Sequence, residues 1–428
     1  MKEDCGYVVA RALEPVCAGV FLMTDAEHLD HALQLARLGR RQAHPNPRVG
    51  AVVVTADGLV GEGYHRGPGT PHAEAVALEQ AGERSQGATL YVTLEPCCSY
   101  GRTGPCTEKI IAAGVARVVI GAPDPNPVVD GRGIDALRAA GIDVVVDDGP
   151  LHGLCEQLNE PFARFIREGL PFVTFKAAVS LDGKVAAAGG DARWISSPAS
   201  RRLVHSMRAA ADAVMVGAGT ARRDDPRLTA RDVEGPDPVR VVVSRGGDLP
   251  AESQLVATAA EVPTILLTRA IAPDAARTLT ERGVEIVRAV DLRTGLAALA
   301  ARGLVEILFE GGPTLAAALL DAGLVDRVAI FVAPLLVGRG APDLVATPAP
   351  AVVAEGLALS DVVWSATGPD MVCEARVVKR AATAGLPGAA PPPPDTPPFG
   401  GAPSATAKPS TERTAEPSSA GGRTEREG

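Results

Sequence analysis

Three residues whose donor atoms suit a soft metal ion, His72, Cys97 and Cys106, lie at three separate junctions of the chain. Pro71-His72-Ala73-Glu74 opens a helical run to about Ala81, since a proline at such a place marks a helix start. Leu90–Leu94 reads as a strand that ends at Glu95-Pro96-Cys97, and Cys106–Ala113 begins the next helix. Donors on such separate pieces meet only if strands and helices alternate and their ends converge at one edge of a sheet. That requirement points to the α/β class. Two of the donors fall at or near helix N-termini, where free N–H groups and the macrodipole favour a thiolate.

The neighbouring pattern fits. Asp25 to about Leu38 is an amphipathic helix with Thr24 or Asp25 as its N-cap, ended by His44-Pro45-Asn46-Pro47. Val49–Val54 and Val60–Tyr64 read as a hairpin across Ala56-Asp57-Gly58, with later strands at Val115–Ile120 and Val144–Val146 and a helix at Ile134–Ala140. Residues 23–150 are therefore expected to form one α/β domain. A bridging helix, Gly153–Arg167, lies in a linker over 151–170. From 171 to 380 strand-like runs recur, from Phe172–Ala177 through Ala213–Val216, Val239–Val243, Thr264–Leu267, Val284–Val287 and Glu306–Phe309 to Val328–Val332. Helices such as Ala199–Ala210 and Thr314–Ala322 separate many of them, giving a second α/β domain.

The ends differ in kind. Residues 381–428 are rich in Pro, Gly, Ser, Ala and Thr, too poor in apolar surface to order themselves, and are expected to be a disordered tail. Residues 1–22 contain no long apolar core of a signal peptide and read as a disordered extension, with Met23 a better start than Met1. Hydrophobic residues are 46% of the 428, enough for two cores, which aromatics at 3% leave to Ala, Val, Leu and Ile. A net charge of −9 argues against a nucleic-acid or membrane-surface partner. No stretch reaches the roughly eighteen uncharged apolar residues of a membrane span. Seven unevenly spaced cysteines do not make a secreted disulfide framework, and the expectation is a soluble cytoplasmic protein.

Any one of the three donors alone would be read as a satisfied core residue or an inert thiol. A structural zinc normally takes four protein ligands and has no use for a carboxylate beside it. Cys98 has the chemistry of a fourth ligand, but adjacent Cys97 and Cys98 point in different directions. His-x-Glu, then Pro-Cys, then a second Cys is the pattern of zinc deaminases, here with eight residues between the cysteines instead of two. In this reading His72, Cys97 and Cys106 bind Zn2+, which lowers the pKa of a water, and Glu74 carries a proton to the departing amine.

At these residues the chain resembles the bifunctional riboflavin-biosynthesis deaminase–reductases. The resemblance rests on His44-Pro45-Asn46-Pro47-Arg48-Val49-Gly50, Pro71-His72-Ala73-Glu74, the run from Glu95-Pro96-Cys97 to Gly101-Arg102-Thr103-Gly104-Pro105-Cys106, and Asp124-Pro125-Asn126-Pro127 with Gly131-Arg132-Gly133. It covers about residues 25–380. It implies a cytidine-deaminase-like domain followed by a dihydrofolate-reductase-like one. The first would deaminate 2,5-diamino-6-(5-phosphoribosylamino)pyrimidin-4-one, with Asn46 in the substrate pocket. The second would use NADPH to reduce the ribosyl group of the resulting aminouracil to ribityl. A homo-oligomer is implied by the resemblance alone. One departure stands inside the motif: Cys98-Ser99 where the family often has Ser-His.

The second domain is quieter. Glu310-Gly311-Gly312-Pro313-Thr314 and Gly217-Ala218-Gly219-Thr220 are glycine-rich strand-to-helix turns, which bring backbone N–H groups close to a phosphate but are often only turns. Lys176, Arg208 and Arg231 read by themselves as solvated charges. By resemblance, supported at Ser180-Leu181-Asp182-Gly183-Lys184, Trp194-Ile195-Ser196 and Asp224-Asp225-Pro226, the residues Ala178, Trp194, Thr220, Asp224, Gly312, Pro313 and Thr314 would contact NADPH. Ala192, Arg208, Leu228, Arg231 and Glu310 would contact the phosphosugar substrate, the arginines its phosphate. Two rivals remain: a deaminase with a non-catalytic second domain, and a zinc-stabilised interaction protein whose Pro-rich tail docks partners.

Overall fold

Thr24 starts the first helix, Asp25–Arg37, by a capping box: its hydroxyl accepts the Glu27 N–H at 3.3 Å, and the Glu27 carboxylate accepts the Thr24 N–H at 2.7 Å. The computed structural model describes residues 23–100, 104–348 and 350–379, so the expected extension 1–22, the expected tail 381–428 and the motif residues Gly101-Arg102-Thr103 lie outside the described residues.

The first sheet holds β1 (Gly50–Thr55), β2 (Gly58–Tyr64), β3 (Thr89–Val92), β4 (Arg117–Ile120) and β5 (Asp143–Val146) in the order β2-β1-β3-β4-β5. β1 is antiparallel to β2 and β3, while β3, β4 and β5 are parallel. Val53, Leu90 and Val118 face one buried layer with the helix Ala73–Ala81, and Val52, Tyr91 and Val119 face another with Asp25–Arg37. The helix Ala73–Ala81 lies flush on β2 because residue 61 is glycine: a Cβ there would stand 2.1 Å from the Ala77 carbonyl oxygen. That close seating sets the position of His72 and Glu74 at the start of the helix.

The second sheet has nine strands: β6 (Phe172–Ser180), β7 (Ala213–Gly217), β8 (Val239–Ser244), β9 (Thr264–Thr268), β10 (Val284–Arg288), β11 (Glu306–Phe309), β12 (Arg327–Ala333), β13 (Leu359–Thr367) and β14 (Asp370–Val377). Their order is β10-β9-β8-β7-β11-β6-β12-β14-β13. The seven from β10 to β12 are parallel, and β14 and β13 extend them as an antiparallel hairpin. Both faces are buried: Phe175, Met215 and Phe309 on one, Val214, Val242 and Leu266 on the other. The two domains therefore have the cytidine-deaminase-like and dihydrofolate-reductase-like architectures that the resemblance implies.

Two expectations are corrected. The single bridging helix is two, Pro150–Leu158 and Glu160–Glu168, because Asn159 leaves helical geometry at φ −104°, ψ 12° just before Pro161. The hairpin β13–β14 was not among the expected strands. Its sequence signal is the Thr367-Gly368-Pro369-Asp370 turn, with Gly368 at φ +62°.

Candidate active sites

The three donor atoms of His72, Cys97 and Cys106 lie within 4.8 Å of one another. His72 Nδ1 is 3.2 Å from Cys106 Sγ and 3.5 Å from Cys97 Sγ. A tetrahedral ion with Zn–N near 2.0 Å and Zn–S near 2.3 Å needs neighbouring ligands about 3.3–3.8 Å apart, so these donors fit zinc. His72 is the N-cap of its helix and Cys106 the first residue of the helix Cys106–Ala112, whose backbone N–H donates to Cys97 Sγ at 3.3 Å. The Cys106 thiol, the His72 ring and that N–H hold the Cys97 thiol at about 4, against the effect of burial. The same sharing pushes Cys106 upward. Glu74, 3% exposed in the first turn of its helix, has its carboxyl pushed up by burial and by Cys97. Cys98 is not part of this group among the described residues.

Two neighbours of the cluster have partners that the sequence does not show. Glu95 is buried and accepts four backbone N–H groups, from Gly133 at 2.8 Å, Gly131 at 3.0 Å, Asp124 at 3.2 Å and Ile134 at 3.3 Å. It thereby clamps the loop 124–133 onto the strand end that delivers Cys97. The second is His65. Its Nδ1 is 3.2 Å from the Pro71 carbonyl oxygen and its Nε2 is 3.0 Å from Asn46 Nδ2. Donation from Nδ1 to Pro71 leaves Nε2 to accept from Asn46, which frees Asn46 Oδ1 for another donor. Burial lowers the His65 pKa and keeps the ring neutral. The rings of His65 and His72 meet edge to face at 5.3 Å, so Asn46 stands one ring away from the metal donors.

In the second sheet the predicted residues gather at the C-terminal ends of parallel strands, where open α/β sheets bind ligands. A groove of about 690 Å³ is lined by Ala178, Trp194, Thr220, Asp224, Gly312 and Pro313 of the cofactor set and by Ala192, Arg208, Arg231 and Glu310 of the substrate set. Thr314 lies in an adjoining cleft of about 1300 Å³ that shares Thr220, Gly312 and Pro313. Leu228 lines a third, of about 720 Å³, with Ala192, Trp194 and Arg231. The larger cleft carries Arg222, Arg223, Arg245, Arg269 and Arg293 against Asp248 and Asp291, a surplus of cations that suits an anionic ligand. Its lining also includes Gly217, Gly219 and Gly312 of the two strand-to-helix turns. These features fit a dinucleotide phosphate.

Arg208 and Lys176 are not solvated charges, which corrects that reading. Arg208 forks onto Glu310, Nε to Oε1 at 2.6 Å and Nη2 to Oε2 at 3.0 Å, and Lys176 Nζ lies 3.7 Å from Oε2 with its side chain 15% exposed. Burial alone would raise Glu310, but the two cations outweigh it and hold the carboxyl at about 2. Lys176 lines the groove, and burial lowers its pKa. The sequence reading missed it because a lysine in mid-strand carries no local mark of what faces it. Arg231 is exposed, with one donor on Thr229 Oγ1 at 3.0 Å.

Comparison with known proteins agrees with this geometry. Residues 23–122 match the cytidine and deoxycytidylate deaminase zinc-binding region, and residues 171–373 match the RibD C-terminal domain. The riboflavin biosynthesis protein RibD of Aquifex aeolicus is 42% identical over 323 residues, covering 74% of this chain and 88% of that protein. RibD of Escherichia coli is 41% identical over 342 residues, covering 76% and 92%. Among solved structures, Acinetobacter baumannii RibD superposes with a TM-score of 0.74 at 36% identity, covering 83% of this chain and 99% of that one. A Thermotoga maritima diaminohydroxyphosphoribosylaminopyrimidine deaminase/5-amino-6-(5-phosphoribosylamino)uracil reductase gives 0.72 at 35% identity, with coverage of 83% and 99%.

Proposed function

On the premise that this chain belongs to the RibD family of riboflavin biosynthesis, whose members join a zinc-dependent deaminase to an NADPH-dependent reductase, we propose which residues perform each step. The presence of both domains disfavours a deaminase with a non-catalytic partner domain. The observation that carries the assignment is the buried carboxylate of Glu74 beside an incomplete set of three soft donors.

His72, Cys97 and Cys106 would hold the zinc, which when bound activates a water near neutral pH. Glu74 takes a proton from the attacking water and passes it to the leaving ammonia, and its burial lets the carboxyl hold that proton between the two transfers. Asn46, fixed by His65, offers Oδ1 to an amino or ring N–H of the pyrimidine. The substrate is the phosphoribosylated diaminopyrimidine named for the Thermotoga relative, and the product is the aminouracil that the second domain reduces. Domain limits of 23–150 and 171–380, joined by 151–170, suit the two sheets.

In the reductase, NADPH supplies the hydride. Ala178, Trp194, Thr220, Asp224 and the turn Gly312-Pro313-Thr314 would hold its nicotinamide and diphosphate portions, and Arg245, Arg269 and Arg293 suit the 2′-phosphate that separates NADPH from NADH. Ala192, Leu228 and Glu310 line the substrate side, Arg231, exposed and bonded to Thr229 Oγ1, would meet its phosphate, and Arg208 is shared with Glu310. Opening and reducing the sugar needs a proton as well as a hydride, and Lys176, the lysine that lines the groove with Nζ 3.7 Å from Glu310 Oε2, is the group we assign to carry it. Two further readings belong here. The chain works as a homo-oligomer, supported by the exposed apolar edge of β13. It works in the cytoplasm, supported by five free cysteines among the described residues, two of them zinc donors. No helix among the described residues is long and apolar enough to cross a membrane.

The deciding experiment is Glu74→Gln. It should keep one zinc per chain, lose ammonia release by at least about 100-fold, and leave NADPH oxidation with supplied aminouracil unchanged. Persistent deamination would remove Glu74 from its role.

A further inference from the structure

The loop that carries Asn46 is held from outside its own domain. Two residues before Asn46, the His44 ring, 4% exposed, sets Nδ1 2.8 Å from Asp212 Oδ2, at the entry to β7 of the second sheet. The same carboxylate oxygen accepts the backbone N–H of Val305 at 2.9 Å and of Glu306 at 2.8 Å, at the entry to β11. Two residues after Asn46, Arg48 Nη2 donates to Glu306 Oε2 at 2.5 Å. The Arg48 backbone is gripped as well: its N–H donates to Asn159 Oδ1 at 2.8 Å, and Asn159 Nδ2 donates to its carbonyl at 3.0 Å. Upstream, Arg41 donates to the carbonyls of Ala211 at 2.7 Å and Asp237 at 2.9 Å.

Between the two anchors lie only Pro45, Asn46 and Pro47. Proline fixes φ on either side, so this segment has little freedom to absorb a shift at an anchor. The anchors themselves stand on β7 and β11, neighbouring parallel strands in the middle of the nine-stranded sheet. Asn46 needs such support, because its own amide is tied within the first domain only to His65 and its N–H to the Ala43 carbonyl at 2.9 Å.

We propose that Asp212 and Glu306 of the reductase sheet are positioning residues for deamination: through His44 and Arg48 they set Asn46 against the substrate at the metal cluster. The proposal rests on the reading of Asn46 as a substrate contact. It makes the reductase sheet a working part of the deaminase site, apart from any traffic of intermediate between the two sites.

The test uses full-length protein carrying Arg48→Glu, Glu306→Arg, the two together, His44→Ala, and Asn46→Ala as reference. Ammonia release gives KM and kcat, metal analysis gives zinc per chain, and NADPH oxidation with supplied aminouracil reads the other site. Each single interface variant should raise the deaminase KM about 10-fold, the scale at which sub-ångström misplacement of a contact is felt, with zinc and reduction unchanged. The double charge exchange should return KM to within about 3-fold of wild type, since it restores the ion pair in reverse. Unchanged KM in the single variants, additive loss in the double variant, or a parallel fall in reduction would overturn the positioning role. If Asn46→Ala itself leaves KM unchanged, it is the reading of Asn46 that fails; if only Asn46→Ala raises KM, the tie across the domains fails alone.

Discussion

Glu310 lies between two cations, and what it does depends on staying ionised there. Its folded-state pKa of about 2 is below the ordinary 4.5, so its contribution to stability is complete above pH 4.5 and disappears as pH falls toward 2. That difference corresponds to roughly 3 kcal/mol at neutral pH. Glu310→Gln strands Lys176 and Arg208 without their counter-ion, a change that in buried pairs costs about 3–5 kcal/mol. The variant should therefore melt well below wild type at pH 7, and the gap should narrow as pH is lowered from 5 toward 3. Calorimetry across that range checks it; a gap independent of pH would mean that the charge of Glu310 is not the source. At this scale the sequence was legible where residue type is specific to one chemistry. That His72, Cys97 and Cys106 converge could be read, because few other roles explain such a set. Lys176, His65 and Glu95 could not, since each acquires its role from a partner on another element.

The loop 124–133 shows the same limit for elements. Its motif was visible, but not its purpose, which is to be gathered by Glu95 from about thirty-five residues away. Gly133 is where the packing is tightest. A Cβ there would stand 2.2 Å from the Pro96 carbonyl oxygen and 3.0 Å from Glu95 Oε1, so neither the strand end nor the clamp has room for it. Gly133→Ala should push Pro96 and with it Cys97 out of place, weakening zinc about 10-fold, as loss of outer support does at metal sites. Competition with a chelating dye measures this, with circular dichroism to show that the sheet persists; wild-type affinity would mean the loop does not support the ligand. The alternating strands and helices were readable because each strand from β1 to β12 is a short apolar run between turn signals. β13 was missed because it is exposed along nearly its whole length and carries no alternation. The break at Asn159 was missed because the two flanking runs share one helical periodicity.

Over the whole molecule, the two ends of the large sheet are unlike. At one end β10 exposes the charged Glu285 and Arg288, with Glu285 paired to Arg302 at 2.7 Å. Charge of that kind protects a sheet edge from pairing with another chain. At the other end, β13 offers Val363 at 58% exposure and Trp364 at 55%, adjacent residues that point to opposite faces of the sheet. The irregularity near Asp361 ends before them, and from Val363 to Thr367 the strand pairs regularly with β14, leaving its far side open. An apolar, unprotected edge of this length is what a second copy of the chain would cover, and a stable contact needs about 1,200–2,000 Å² in all. The homo-oligomer proposed above predicts that Val363→Glu with Trp364→Glu gives a monomer in light scattering at micromolar concentration. Both substitutions lie on the hairpin and away from Glu74 and the NADPH groove, so zinc content and the chemistry of the deaminase site should persist in the monomer. An oligomer unchanged by the double substitution would move the subunit contact off β13, and a monomeric wild type would remove it altogether.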